Sequence, residues 1–209
     1  MVKLVYAVLF GCVMVVGLPL NAVSLWILLH RHNLKSPNVV FMVNLAISDL
    51  LLVISLPLRV YVYATGTWPL STTACTLVTI LFRSNIRSSF IFITFISVDR
   101  LLAVVYPLKS RHLRTSSNAW RAVALIWMFI LVSNIPEGLA SSRIPCNNSE
   151  PTCFEFCRHP RRPPVYFQTV LVFAMLAVNV ACTALVTWTL RRNLNESVRV
   201  HNKIIRLHL

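Results

Sequence analysis

Three arginines, Arg59, Arg83 and Arg87, stand inside stretches that are otherwise apolar, and Asp49 stands in the middle of another. Guanidinium groups gathered away from water are suited to phosphate or carboxylate, because their planar fork offers paired donors to two oxygens. Arg83 and Arg87 are four residues apart and would share a helix face. With Arg59, two residues after Pro57, they predict one cationic cavity for an anion. The simpler alternative is snorkelling to headgroups, which suits Arg59 better than Arg87, roughly 18 Å of helix below Cys75. Asp49 implies different chemistry. With Asn85 and Ser89, which share a face, it is either a hydrogen-bond hub between helices or a cation site. Asp99 and Arg100 are adjacent, and a carboxylate beside an arginine can act as a latch that opens when a partner or a proton takes the carboxylate. An interfacial surface pair is the plainer reading.

No nucleophile, base and orienter gather in the sequence, and neither H-E-x-x-H nor a glycine-rich phosphate loop occurs. No catalytic residues are expected, and no metal beyond a cation at Asp49.

The elements that would position these groups are membrane spans. The chain has 209 residues, 56% hydrophobic and 12% charged, with mean hydropathy +0.69. That is too apolar for a soluble domain of this length. Five runs, Leu4 to Leu29, Val39 to Tyr63, Thr72 to Tyr106, Ala119 to Ile135 and Val165 to Leu190, reach the roughly 20 residues that a hydrocarbon core demands of a helix. None shows the alternation of a barrel strand. The predicted fold is an all-α transmembrane bundle in a single domain over residues 1–209, with a sixth span beginning at about residues 200–209. Inside such a bundle each ionisable side chain costs about 2.5 to 3.5 kcal/mol on insertion scales, so each needs a reason.

The net charge of +14 does not point to nucleic acid, because the basic residues fall between apolar runs rather than on one polar face. They read as topology. Arg31 and Lys35, then Lys109, Arg111, Arg114 and Arg121, then Arg191, Arg192, Arg199, Lys203 and Arg206 mark the cytoplasmic connections. The amino terminus is then outside, in a multi-pass protein of the plasma membrane. The sequon at Asn147 falls in an outer loop and can carry a glycan, whereas that at Asn195 falls inside. Cys75, Cys146, Cys153 and Cys157 face an oxidising compartment, so at least one disulfide is expected, with connectivity open from spacing alone. A zinc site at Cys153, Cys157 and His159 lacks a fourth ligand. Cys12 and Cys182 read as small buried hydrophobes.

The stretches "LPLNAVSLW", "NLAISDLLL", "WP" followed by Cys75, "SVDRLLAVVYPL" and Trp127 resemble, in order and spacing, rhodopsin-like G-protein-coupled receptors. "MVNLAISDLL", "LPLRVY", "ISVDRLLAVVYPLKSRHLRT" and "CFEF" are most similar to the nucleotide-receptor-like branch that contains the non-endothelial lysophosphatidic acid receptors. The resemblance covers essentially the whole chain but five of seven family spans. It implies that Asn21 and Asp49 are intramembrane polar anchors, with Asn85 and Ser89 completing a pocket for an allosteric sodium ion. It implies a Cys75–Cys153 disulfide, an Arg100 that meets a heterotrimeric G protein once Asp99 releases it, and an Arg59 that holds a ligand phosphate. There are departures. Leu101 replaces an aromatic after Asp99–Arg100, Met175 stands where the fifth span has proline and Thr183 where many members have tyrosine. Arg83 and Arg87 replace apolar or aromatic pocket residues.

The function these features imply is a cell-surface receptor for an anionic, phospholipid-type ligand such as lysophosphatidic acid, coupled to a G protein and embedded in the bilayer. The alternatives are a nucleotide or small-carboxylate receptor, or a truncated, non-signalling product that acts as a dominant negative. A proton sensor ranks last, because only His159 faces outward. A transporter would show pseudo-symmetric, glycine- or proline-broken halves, and none is evident.

Overall fold

A computed structural model of the chain describes residues 2–32, 34–141, 153 and 163–207. Among them the regular structure is helical: α1 (Val2–Arg31), α2 (Pro37–Thr65), α3 (Thr72–Val105), α4 (Ser116–Ser141) and α5 (Pro163–Leu207). All five are long and apolar enough to cross a membrane. Their ends follow local chemistry. Ser36 is extended and Pro37 takes the first helical position of α2, where its missing N–H costs nothing. Gly66, at φ 77°, closes the same helix by donating its N–H to the Val62 carbonyl at 2.8 Å, a left-handed cap that a Cβ would strain. Ser71 starts α3, its Oγ accepting from the Ala74 N–H at 3.3 Å. Pro107 stands two residues past the end of α3, where it cannot continue the helix.

Helix α3 packs on α2, α4 and α5, while α1 lies along α2, and α2 also reaches α4. The core sits where α2, α3 and α4 meet: Val40 and Phe41, Ile91 and Phe92, then Ala119, Val123, Ile126 and Ile130. The opposite surfaces are apolar and open. Val16 and Trp26 on α1, Leu125 and Leu131 on α4, and Phe173 and Val180 on α5 are all exposed. Broad apolar surface on every outer face, with backbone bonds satisfied inside each helix, is what a lipid environment requires. The chain is a multi-pass membrane protein.

The expected spans fall within the observed helices, except that Tyr106 lies just past the end of α3. Helix α5 runs unbroken through Leu207, across most of the stretch where a sixth span is expected to begin. Residues 191–207 contain neither glycine nor proline. Apolar character stops at the charged Arg191 and Arg192, but helix formation has no reason to stop there.

Candidate functional site

The polar side chains form three layers along the bundle. The first lies toward the end where Cys75 is joined to Cys153, with Cα atoms 5.8 Å apart across 78 residues. There Arg59 of α2 is only 6% exposed, which rules out a guanidinium snorkelled into water. Its Cζ lies 3.9 Å from the centroid of the Phe82 ring of α3, a cation–π distance. Arg83, the next residue on α3, and Tyr63, one turn along α2, are near enough to act on its charge. Phe10 of α1 stacks on Tyr63 at 5.7 Å and meets Phe82 edge-on at 6.1 Å. Tyr6 lies 5.5 Å from Tyr63. Three helices therefore supply an aromatic bed beneath one cation, with a second cation beside it.

Of the three arginines expected in one cavity, Arg87 also straps α3 to α4. The Arg87 Nη1 donates to Asn134 Oδ1 of α4 at 2.7 Å, and Asn134 Nδ2 donates to Ser84 Oγ at 2.6 Å. Ser84 Oγ in turn donates to the Ile80 carbonyl at 2.7 Å. The shared face was real, but four residues advance the helix by about 6 Å and turn it about 40°. That is enough for Arg83 to work against α2 and Arg87 against α4.

The middle layer joins α2, α3 and α4. Asp49 Oδ1 accepts from Asn85 Nδ2 and from Ser89 Oγ, each at 3.1 Å. Asn85 Nδ2 also lies 3.2 Å from Ser48 Oγ, which bonds to Ser88 Oγ. Trp127 Nε1 donates to Asn44 Oδ1 at 3.1 Å. Three of the four residues expected in a polar pocket do meet. Asn21 does not join them through its amide, which turns back to the Gly17 carbonyl of its own helix at 3.0 Å. A helix interior offers such a carbonyl four residues back at no cost in reach.

The third layer lies at the basic end. Asp99 is buried, but its carboxylate does not hold Arg100, which is exposed. The pair expected from adjacency is corrected: Arg114, in the connection to α4, donates Nε to Asp99 Oδ1 at 2.8 Å and Nη2 to Oδ2 at 3.0 Å. Adjacent residues on a helix point about 100° apart, so Arg100 turns outward while the loop returns to meet the carboxylate with a fork. Its hydrogen bonds to Asp99 hold the Arg114 guanidinium above its ordinary value. Ser110 Oγ adds a bond to the Leu102 carbonyl at 3.1 Å, and Ser116 Oγ reaches the Leu34 carbonyl at 3.0 Å. The first and third connections, both basic, thus share one end of the bundle.

Asn134 could have been found by the rule that exposed Arg87, since an amide in an apolar run also needs a reason. Ser48 and Ser88 sit beside residues that were singled out. Phe82 carried no signal, being one of 11 phenylalanines. Asn147, Cys146, Cys157 and His159 lie outside the described residues.

The sequence matches the family described as 7 transmembrane receptor (rhodopsin family) over residues 20–206. It is 35% identical over 199 residues to lysophosphatidic acid receptor 6 of Gallus gallus, an alignment covering 92% of this chain and 65% of that protein. It is 36% identical over 194 residues to lysophosphatidic acid receptor 4 of Homo sapiens, covering 90% and 51%. With lysophosphatidic acid receptor 5 of Bos taurus the identity is 36% over 213 aligned positions, covering 98% and 58%. The chain spans between half and two thirds of the length of these curated relatives. A match this broad, on a bundle whose polar layers sit at the matched motifs, places the chain in the rhodopsin family of seven-transmembrane receptors.

Proposed function

We propose that the chain belongs to a plasma-membrane receptor, amino terminus outside, that binds a lysophosphatidic-acid-type anionic lipid and signals through a heterotrimeric G protein. The observation that carries the ligand class is the buried Arg59 with Arg83 beside it. Two guanidinium groups side by side in an apolar layer make a local concentration of positive charge, and their planar forks suit the oxygens of an anionic headgroup. The named relatives are receptors for lysophosphatidic acid, which supports the same choice over a nucleotide or small carboxylate. At the basic end, exposed Arg100 is the proposed contact for the G protein. Asp49, Asn85 and Ser89 are the proposed sodium site, since their oxygens are the donors a hard monovalent cation takes. Asn21 stands outside that site.

The test is binding of fluorescent oleoyl lysophosphatidic acid to the chain in lipid nanodiscs, competed by the unlabelled lipid, by uncharged oleoylglycerol and by ATP. Competition by the phospholipid alone, weakened at least about tenfold by Arg59→Ala (a charge-assisted pair being worth roughly 1.5–3 kcal/mol), is the expected result. Equal competition by oleoylglycerol, or unchanged affinity in Arg59→Ala, refutes the reading. Stronger competition by ATP moves the ligand to the nucleotide class.

A further inference from the structure

The hydrogen bond from Ser116 Oγ to the Leu34 carbonyl, 3.0 Å long, does more than join two connections. It brings the residues just before α2 against those that open α4. Arg31 lies three residues before Leu34, and Arg111 and Arg121 lie five residues to either side of Ser116. Lys109 stands two residues before Arg111. All four cations are exposed.

The carboxylates that could neutralise them are committed. Among the described residues of this end, Asp99 is held by the Arg114 fork and Glu196 pairs with Arg192 on α5. Neither α2 nor α4 carries an acid in its first turn, although the helix dipole favours one there. The cations also stand on a fixed frame. Ser110 is buried, its N–H donates to the Tyr106 carbonyl at 3.0 Å, and its carbonyl accepts from the N–H groups of Leu113 at 3.0 Å and Arg114 at 2.9 Å. Lys109 and Arg111 flank that anchor. Trp120, exposed beside Arg121, adds an indole of the kind that sits at headgroup level. The rule that basic residues mark cytoplasmic loops accounts for the charge, but it asks neither for a rigid frame nor for the absence of acids.

We propose that this surface is a binding site for an inner-leaflet lipid with a polyphosphorylated headgroup, of the phosphoinositide class. The proposal rests on the reading of the basic end as cytoplasmic. Three of the four cations are arginines, whose forks match two phosphate oxygens at a time. Each Lys or Arg near an anionic leaflet gains about fivefold in binding. A headgroup with several phosphates meets several cations in one event, whereas singly charged lipids must be gathered one by one, each losing freedom. A rigid cluster therefore favours the multivalent headgroup over the same charge spread across phosphatidylserine.

The experiment is native mass spectrometry of the 209-residue chain with dioleoyl phosphatidylinositol 4,5-bisphosphate and dioleoyl phosphatidylserine as probes. The bisphosphate lipid is expected to form a one-lipid adduct that phosphatidylserine at equal total charge does not displace. Arg111→Gln and Arg121→Gln should each weaken the adduct about fivefold, and the two together about twenty-five-fold, while Arg199→Gln on α5 leaves it unchanged. Displacement by phosphatidylserine, or an equal loss in Arg199→Gln, reduces the surface to a diffuse field and overturns the site. Displacement by free inositol 1,4,5-trisphosphate at the same concentration makes a soluble phosphate the ligand and overturns the lipid. Orientation is read separately, by an antibody to an epitope fused after Leu209, which should stain cells only once they are permeabilised. Staining of intact cells overturns the cytoplasmic reading and puts the inner leaflet out of reach, even where the adduct forms.

Discussion

Asn134 ties α4 to α3 through two side chains at once, and replacing it with leucine, which keeps the same branched heavy-atom outline, tests the strap. The residue is 8% exposed, so water does not stand in for what is lost. Two bonds go: the 2.7 Å bond from Arg87 and the 2.6 Å bond to Ser84. Interhelical side-chain bonds in a membrane average about 0.6 kcal/mol and reach about 1.7, and the bond from a charged donor belongs at the upper end. Arg87 keeps further interactions, and Ser84 keeps the Ile80 carbonyl, so neither is stranded. Asn134→Leu should therefore cost about 1.5–2 kcal/mol rather than the roughly 3–5 of a buried charge left alone. The informative assay is a double-mutant cycle with Arg87→Met, read by equilibrium unfolding in bicelles or by steric trapping in nanodiscs. A coupling of about 1 kcal/mol is expected. A coupling below about 0.3 kcal/mol, inside the scatter of independent sites, would show that the Arg87–Asn134 bond holds nothing.

At the basic end, Arg114→Gln removes the fork on Asp99, and amide exchange at Ser110 and Arg114 should speed several-fold. Arg114→Lys should restore only part of the protection, because one ammonium cannot match two oxygens, and unchanged exchange in both variants refutes the clamp. Cys75→Ser opens the 78-residue link to Cys153 and should cost about 2–4 kcal/mol, matched in the unmodified chain by adding a reductant. A melting temperature insensitive to both changes rules the bond out as a stabiliser. Replacing choline by sodium should raise the melting temperature of the chain and have no such effect on Asp49→Asn, in line with a ligand that binds the folded state alone. Equal shifts in both proteins dispose of the sodium site.

What the sequence made legible was decided by burial cost, and what it hid was decided by geometry between helices. The five spans were visible because a hydrocarbon slab imposes one length on them. Asp49, Asn85 and Ser89 were visible because polar groups in lipid must find each other, and they do. The Cys75–Cys153 pairing was supplied by the family resemblance; spacing alone could not choose among four outward cysteines. The continuation of α5 to Leu207 was not legible, because hydropathy reports the membrane boundary whereas helix ends depend on capping and breaker residues. The bond from Arg87 to Asn134 was not legible, because face-sharing along one helix says nothing about which neighbour stands opposite each residue. Phe82 was missed because cation–π contacts are made by ordinary core residues.

Arg100 shows how far adjacency can mislead. Two neighbouring residues of opposite charge suggest a bond between them, yet a helix turns about 100° per residue and carries the two side chains apart. Asp99 is buried and needs a partner more than Arg100 does, because a carboxylate desolvated alone is costly whereas an exposed guanidinium keeps its water. The loop after α3 resolves this by returning Arg114 with both donors aligned, and Ser110 fastens the same loop to the end of α3. Reaching Arg100 from the basic end therefore requires no bond at Asp99 to break, whereas displacing the loop requires breaking two charge-assisted bonds at once. Control exerted at Asp99 would thus be felt first in the position of the 106–115 connection and only then in Arg100.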